Sequence, residues 1–504
     1  MVKKIISCAA AAVVACAAFA ANPLITKEGY LNVSFTTAQM QQYAADAQVY
    51  MNGEIEKILQ VPAGQKTFDN TIAAFERALG EYHDRTQFLS LGAHILTDAQ
   101  QRKTALDIGA AVKKYRLDIF TKKDLYAALA QAAKSLKGKE DYVAKKVLVE
   151  FEKNGMSLDD KNLKKFISLK KQLIDLETSY DEVLSASKAS ITLKPSELAG
   201  LSSTMIASMA RDKAGNYVLD ITPRSTYFAF LASSELDEKR KEAEKNYQEL
   251  GGKKNLDTLD KMLKIRQEIA KMFGFENASD YILQDKMARN YDTAAAFSAD
   301  LVSKMQIKAA YENDEFLKIK RALTKKPAAI ALTDWDWRFY SDKYKKRQLS
   351  IDDEKIKEYF PTDYVTDKML NLFGNLFGVK FERVDIPVWH KDVMPYAVKE
   401  NDKVVGYIYM DTVPREGKYT HAECDDVIIY RENPDGTRQI PVAVLVSNAA
   451  PAAGGIPSLL STTELGTLFH EFGHGINFLF NRAPYSGLTS SLVWDFVEVP
   501  SKQM

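Results

Sequence analysis

Apolar residues recur at helical spacing through much of the first half of the chain. Ile72, Phe75, Leu79 and Tyr82 follow one another every three or four positions, and Leu163, Phe166, Leu169, Leu173 and Leu176 do the same within a lysine-rich run. Glycine and proline are sparse between residues 71 and 187, as long helices require, and the intervening charges read as solvated faces. Residues 217–221 form a short apolar, β-branched run that stops at Thr222-Pro223, which predicts a strand. Helical texture resumes over 234–273 and 293–323. It changes after Phe377. Segments 396–398 and 404–410 are rich in β-branched and aromatic residues, and Asn401-Asp402 lies between them, so a hairpin is predicted. Residues 441–446 read as a further strand, followed by a Pro-, Ala- and Gly-rich loop at 451–457. No fixed-period repeat stands out. The expected fold is mainly α, in two lobes, with a small β-sheet placed just before one last long helix.

That helix carries the chemistry. Leu465, Leu468, Phe472, Ile476 and Leu479 fall on one face and are expected to dock on a core. His470 and His474 are four apart and share another face, one turn from each other. Two neutral imidazoles so placed can hold one Zn²⁺ at about 2.0–2.1 Å each. Glu471 lies one step round the helix, where it can reach a water at the metal without being a ligand, as a general base should. A carboxylate follows in Asp495-Phe496-Val497-Glu498-Val499-Pro500-Ser501, at what reads as the start of a second helix. Two His and one Glu would leave a fourth position open, as a catalytic zinc needs. Glu498 is the third ligand in this reading, with Asp495 as a nearby competitor.

Composition narrows the alternatives. Lys plus Arg total 68 against 67 for Asp plus Glu, so the formal charge of +1 provides no basic field for nucleic acid. Met1-Val2-Lys3-Lys4 followed by an Ala-rich apolar run and Ala18-Phe19-Ala20 reads as an export signal cleaved near Ala21. A second reading makes Cys16 a lipid attachment site. Either places the protein in the periplasm or cell envelope. No later segment approaches the ~20 apolar residues of a membrane span. Of 3 cysteines, Cys8 and Cys16 lie inside the signal, which leaves Cys424 without an internal partner. Cys424 is expected to be an ordinary packed residue.

The stretch Leu468-Phe469-His470-Glu471-Phe472-Gly473-His474, together with Asp495-Phe496-Val497-Glu498-Val499-Pro500-Ser501, resembles the thimet oligopeptidase family of zinc metallopeptidases, which includes peptidyl-dipeptidase and oligopeptidase A. Weaker echoes run along nearly the whole chain, among them Asn22-Pro23, Asp334-Trp335-Asp336, Tyr359-Phe360-Pro361 and Val388-Trp389-His390. The resemblance implies a mostly helical, two-lobed fold with a deep channel and one zinc per chain. It makes His470, His474 and Glu498 the ligands and Glu471 the base. It implies cleavage of short unfolded peptides, with a peptidyl-dipeptidase ranked first and an oligopeptidase A-like endopeptidase close behind, and a monomer is expected. The division expected is 1–20 signal, 21–215 N-terminal helical region and 216–504 catalytic region. Two departures stand out. Lys502 intervenes before Gln503, where the family usually has Gln directly after Pro-Ser. The family also continues well beyond the position of Met504, into a His and Tyr cluster that binds substrate and oxyanion. A 504-residue chain lacking that cluster is expected to be a poor enzyme, and the competing reading is a non-catalytic peptide-binding remnant.

Other positions rank lower. His390 beside Trp389 is expected to pack rather than react. His83, His94 and His421 have no ligand-like spacing. Residues 441–446 fit either a core strand or an edge that pairs with substrate backbone, and Ser486-Gly487 fits either a substrate loop or an ordinary turn.

Overall fold

The computed structural model describes residues 21–503 apart from 326, 327, 329, 330, 453, 454, 486 and 488–491. The segment read as an export signal, and Cys16 with it, lies outside the described residues. The chain is mostly helical, with a small mixed sheet in its second half.

Helix begins earlier than the apolar spacing shows. Thr37–Gln60 is helical and opens on a reciprocal cap: Gln39 N–H donates to Thr36 Oγ1, and Thr36 N–H to Gln39 Oε1. The long helical stretch that follows is divided into Ala73–Asp84, Gln87–Ile95, Ala99–Phe120, Lys123–Ala133, Gly138–Phe151 and Asp160–Ala186. The run read as helical over 234–273 is also two helices, Asp237–Gln248 and Gly252–Met272. The break falls at Gly251, whose φ of 77° is the left-handed conformation that glycine reaches without strain. Trp337–Gln348 and Thr362–Phe377 are further helices, and Tyr291–Thr324 is the longest.

The strands are β1 (Ser190–Leu193), β2 (Ala210–Arg211), β3 (Tyr217–Asp220), β4 (Lys380–Arg383), β5 (Met394–Glu400), β6 (Lys403–Asp411), β7 (Glu423–Ile428), β8 (Arg431–Glu432), β9 (Arg438–Gln439) and β10 (Val442–Val446). β1, β3 and β2 make a small antiparallel sheet around a core of Ile191, Leu193, Leu219, Phe230 and Ala243. The hairpin between β5 and β6 turns at Asn401 and Asp402, with φ of 48° and 63°, the paired left-handed conformation that Asn and Asp tolerate.

The five-stranded sheet runs β4-β5-β6-β10-β7, and only the β6–β10 pairing is parallel. Its two faces are both buried, and the strand period sorts them. Tyr407 and Tyr409 of β6, with Val442, Val444 and Val446 of β10, face a core that includes Leu24, Leu31, Phe88 and Trp389. Ile408 and Met410, with Ala443 and Leu445, face the opposite way, onto Leu468, Phe472 and Ile476. Burial on both sides explains why β10 is apolar at every position. The N-terminal helices cover one face, and the helix bearing the two histidines covers the other. β10 is paired along both edges, so residues 441–446 are core, and the reading that opened them to a substrate strand is corrected. The edge strands are β4 and β7.

Candidate metal centre

The His470 helix spans Thr462–Phe480 and starts on Ser461, whose hydroxyl accepts the Glu464 N–H while Glu464 Oε2 accepts the Ser461 N–H at 2.8 Å. Leu468, Phe472, Ile476 and Leu479 are buried against the sheet, as their spacing predicts. Gly475 sets the depth of this packing. A Cβ there would lie 3.1 Å from Ile408 Cδ1 and 3.4 Å from Cys424 Sγ, so the helix rests closely on β6 and β7. Cys424 is thereby an ordinary packed residue, and burial pushes its thiol pKa up.

Docked in this way, the helix turns His470 and His474 toward one point, their rings 4.9 Å apart and nearly perpendicular. The Glu498 helix, Glu498–Lys502, brings a carboxylate to the same point. Glu498 Oε2 is 3.2 Å from His470 Nε2 and 3.5 Å from His474 Nε2. These three side chains are the group among the described residues that could hold a metal ion. Asp495 turns elsewhere: its Oδ2 accepts the Met287 N–H at 3.1 Å. The carboxylate the geometry brings to the histidines is therefore Glu498.

Electrostatics agree with these placements. Burial lowers the pKa of His474, which favours the neutral ring that can act as a ligand. Glu471 is buried on the inner side of the helix. Desolvation pushes its carboxyl up to about 7, and the Glu498 and Glu423 carboxylates add to the effect.

The remaining histidines lie outside this cluster. His94 Nδ1 lies 2.7 Å from Glu423 Oε1 and its ring stacks on Tyr419. His83 Nε2 lies 2.7 Å from the main-chain oxygen of Asp426. His390 accepts the Asp392 N–H at 3.3 Å, and Trp389 Nε1–H donates to Asp411 Oδ2 at 2.8 Å, so this pair packs as expected. His421 stands apart from the metal cluster. Ser486 lies outside the described residues. Gly487 fits tightly against the N-terminal half, where a Cβ would come within 2.8 Å of Glu76 O.

Sequence reasoning overlooked β7. The strand packs beside the His470 helix and carries Glu423, Asp425 and Asp426, and Gln87 Nε2 donates to Asp425 Oδ1 at 3.1 Å. Their signal was a run of acidic residues, which by itself reads as solvated loop. The contact of Ser501 with Glu498 was also missed. Its Oγ lies 2.9 Å from Glu498 Oε2.

Residues 230–504 match the sequence model of Peptidase family M3. Over 474 residues the chain is 28% identical to a thimet-like oligopeptidase of Dictyostelium discoideum, covering 89% of this chain and 70% of the relative. It is 30% identical over 462 residues to saccharolysin of Saccharomyces cerevisiae (85% and 64%), and 30% identical over 401 residues to oligopeptidase A of Escherichia coli (76% and 57%). It thus spans less than two thirds of the yeast and bacterial relatives. Among solved structures, an oligoendopeptidase F from Bacillus anthracis aligns with a TM-score of 0.51 at 15% identity, covering 95% of this chain and 72% of that one. A second oligoendopeptidase F structure aligns at 0.54 and 14%, covering 93% and 67%. These two likenesses establish the helical fold.

Proposed function

Because this chain belongs to Peptidase family M3, we propose that it is a zinc metallopeptidase that hydrolyses short, unfolded peptides. The observation that carries this reading is the convergence of His470 Nε2, His474 Nε2 and Glu498 Oε2. Two atoms bound at about 2.0–2.1 Å to a tetrahedral ion lie about 3.3–3.4 Å apart. The separations of 3.2 and 3.5 Å from Glu498 Oε2 to the two rings fit that geometry. Two imidazoles and one carboxylate are also a donor set suited to zinc, with one position left for reactants.

In this proposal His470, His474 and Glu498 hold the ion. Zinc bound there supplies Lewis acidity to a peptide carbonyl and to the attacking water. Glu471 removes the proton of that water and delivers it to the departing amine. Its burial keeps bulk water from competing for that proton. The named relatives are oligopeptidases, which supports cleavage of oligopeptides, and release of dipeptides is the narrower alternative. Peptides are the proposed partners and the proposed state is a monomer. No described helix is long and apolar enough to cross a membrane. Export to the periplasm or envelope is proposed from the first 20 residues alone.

Mass spectrometry of a peptide library tests the activity. Incubation with the zinc-loaded protein is expected to shorten unfolded peptides. A chelator should stop this, and Glu471→Gln should slow it by about 10²–10⁴-fold while metal stays bound. Unchanged cleavage after exhaustive chelation would refute the zinc reading. Full activity of Glu471→Gln would refute the role of the base.

A further inference from the structure

Glu498 is poorly placed to hold itself. It lies near the start of a helix of 5 residues, too short to be stable without tertiary support, and its side chain is 56% exposed. Yet one of its oxygens sits at the distance from both histidines that a shared ion requires. Something must restrain a flexible, exposed carboxylate to that geometry.

The described residues around it provide two restraints. Asp495 fixes the turn before Glu498, since its carboxylate accepts the Met287 N–H and so ties this segment to the foot of the Tyr291–Thr324 helix. That bond places the backbone and leaves the Glu498 side chain free to rotate. The second restraint acts on the carboxylate itself. Ser501 is 3% exposed, and its Oγ lies 2.9 Å from Glu498 Oε2 and 2.9 Å from the Glu498 main-chain oxygen. The hydroxyl has one proton for two acceptors, and the charged oxygen makes the stronger bond. Apart from the two histidines, Ser501 is the hydrogen-bond partner of this carboxylate among the described residues.

The oxygen concerned is the informative detail. Ser501 contacts Oε2, the same atom that faces both histidines. A carboxylate oxygen has two lone pairs, so one can receive the hydroxyl while the other points to the ion. We infer that Ser501 is a positioning residue for the metal centre, a buried hydroxyl that locks the rotamer of Glu498 so that Oε2 stays the coordinating atom. This inference rests on the metal reading above. It gives a physical reason for a serine three residues after the ligand, on the same side of the short helix.

The test is zinc affinity, measured by competition with a chelating indicator on the full chain, with no turnover required. Thr and Val differ at this site only in whether a hydroxyl or a methyl occupies the bonding position. Ser501→Thr and Ser501→Val therefore share any cost of added bulk in a tight space. Removing a residue that orients a ligand typically weakens metal binding about 10–100-fold. Ser501→Val is expected to bind zinc about 10-fold or more weakly than Ser501→Thr, and Ser501→Ala to fall with Val. Melting temperatures of the metal-free Thr and Val variants should coincide. Equal zinc affinity of the Thr and Val variants, alongside tight binding by the unaltered protein, would overturn the role of Ser501 and leave the metal centre standing. Failure of the unaltered protein to bind zinc would overturn both.

Discussion

Asp425 shows how a single side chain on the edge strand β7 sets a cost on the fold. It is half-buried, and desolvation lifts its pKa to about 7, with the Glu423 and Asp426 carboxylates adding to the shift and His94 opposing it. Among the described residues it accepts a hydrogen bond from Gln87. In the unfolded chain its pKa is about 3.9. Between those values the native state binds more protons than the unfolded state. Stability therefore rises as pH falls from about 7 toward 4, and at pH 8 the full cost of the partly desolvated charge is present. Asp425→Asn keeps an acceptor for Gln87 and removes the charge. It should stabilise the protein by on the order of 2 kcal/mol at pH 8 and by much less at pH 5. Thermal melts at the two pH values provide the comparison, and equal effects at both would contradict the assignment. At this scale the juxtaposition of His470 and His474 was legible, because helical periodicity alone puts i and i+4 on one face. Glu498 was legible only as one of two carboxylates. The hydrogen bond from Met287 N–H to Asp495, which separates them, joins residues 208 apart in sequence.

Among the elements, the His470 helix carries two glycines in opposite surroundings. Gly466 has no atom within 4 Å of where a Cβ would stand, whereas Gly475 has Ile408 and Cys424 at 3.1 and 3.4 Å. Gly466→Ala should stabilise the protein by about 0.5–1 kcal/mol, as helix propensity dictates. Gly475→Val should cost about 1–3 kcal/mol through overpacking and should also weaken zinc binding, because His474 is the preceding residue. Denaturant unfolding with and without zinc separates the two effects. A Gly475→Val protein as stable as the parent would mean that the helix does not rest on β6 and β7 as described. The hairpin and β10 were readable because both have strong local signals, namely the Asn-Asp turn and an unbroken apolar run. β7 and the Thr37–Gln60 helix were not. β7 carries three acidic residues among six, and its strand conformation comes from pairing with β10 rather than from its own pattern. The apolar stripe of Thr37–Gln60 is built largely from small or flexible residues, Met40, Ala44, Ala47 and Met51, which give a weak periodic signal.

For the whole molecule, the main question is how the N-terminal helices are fixed to the sheet that supports the metal centre. Part of the link is apolar, from Leu24 and Phe88 onto Trp389 and Val442. The rest is ionic. Arg431 pairs with both Asp84 and Glu81, and Asp84 also accepts the Ile429 N–H at 3.0 Å. Asp84 is fully buried, so Arg431→Met would leave its carboxylate without a countercharge, a change that typically costs about 3–5 kcal/mol. Burial already lifts the Asp84 pKa to about 6 despite Arg431. Protonation at pH 5 therefore relieves the variant, and its destabilisation should be smaller at pH 5 than at pH 8. Melting curves at the two pH values decide this, and an equal loss at both would show that Asp84 is not the group left exposed. The mainly helical architecture was legible from periodicity. These cross-links were not, because they join residues more than 300 apart in sequence. Zinc binding at one site by His470, His474 and Glu498 is the property from which the proposed chemistry follows. The most direct measurement is the zinc content of the protein, after dialysis against trace zinc, for the unaltered chain and for a His470→Ala, His474→Ala double variant of intact fold. One zinc per chain in the first and none in the second is the predicted result. No bound zinc in the unaltered chain, or one retained by the double variant, would contradict it.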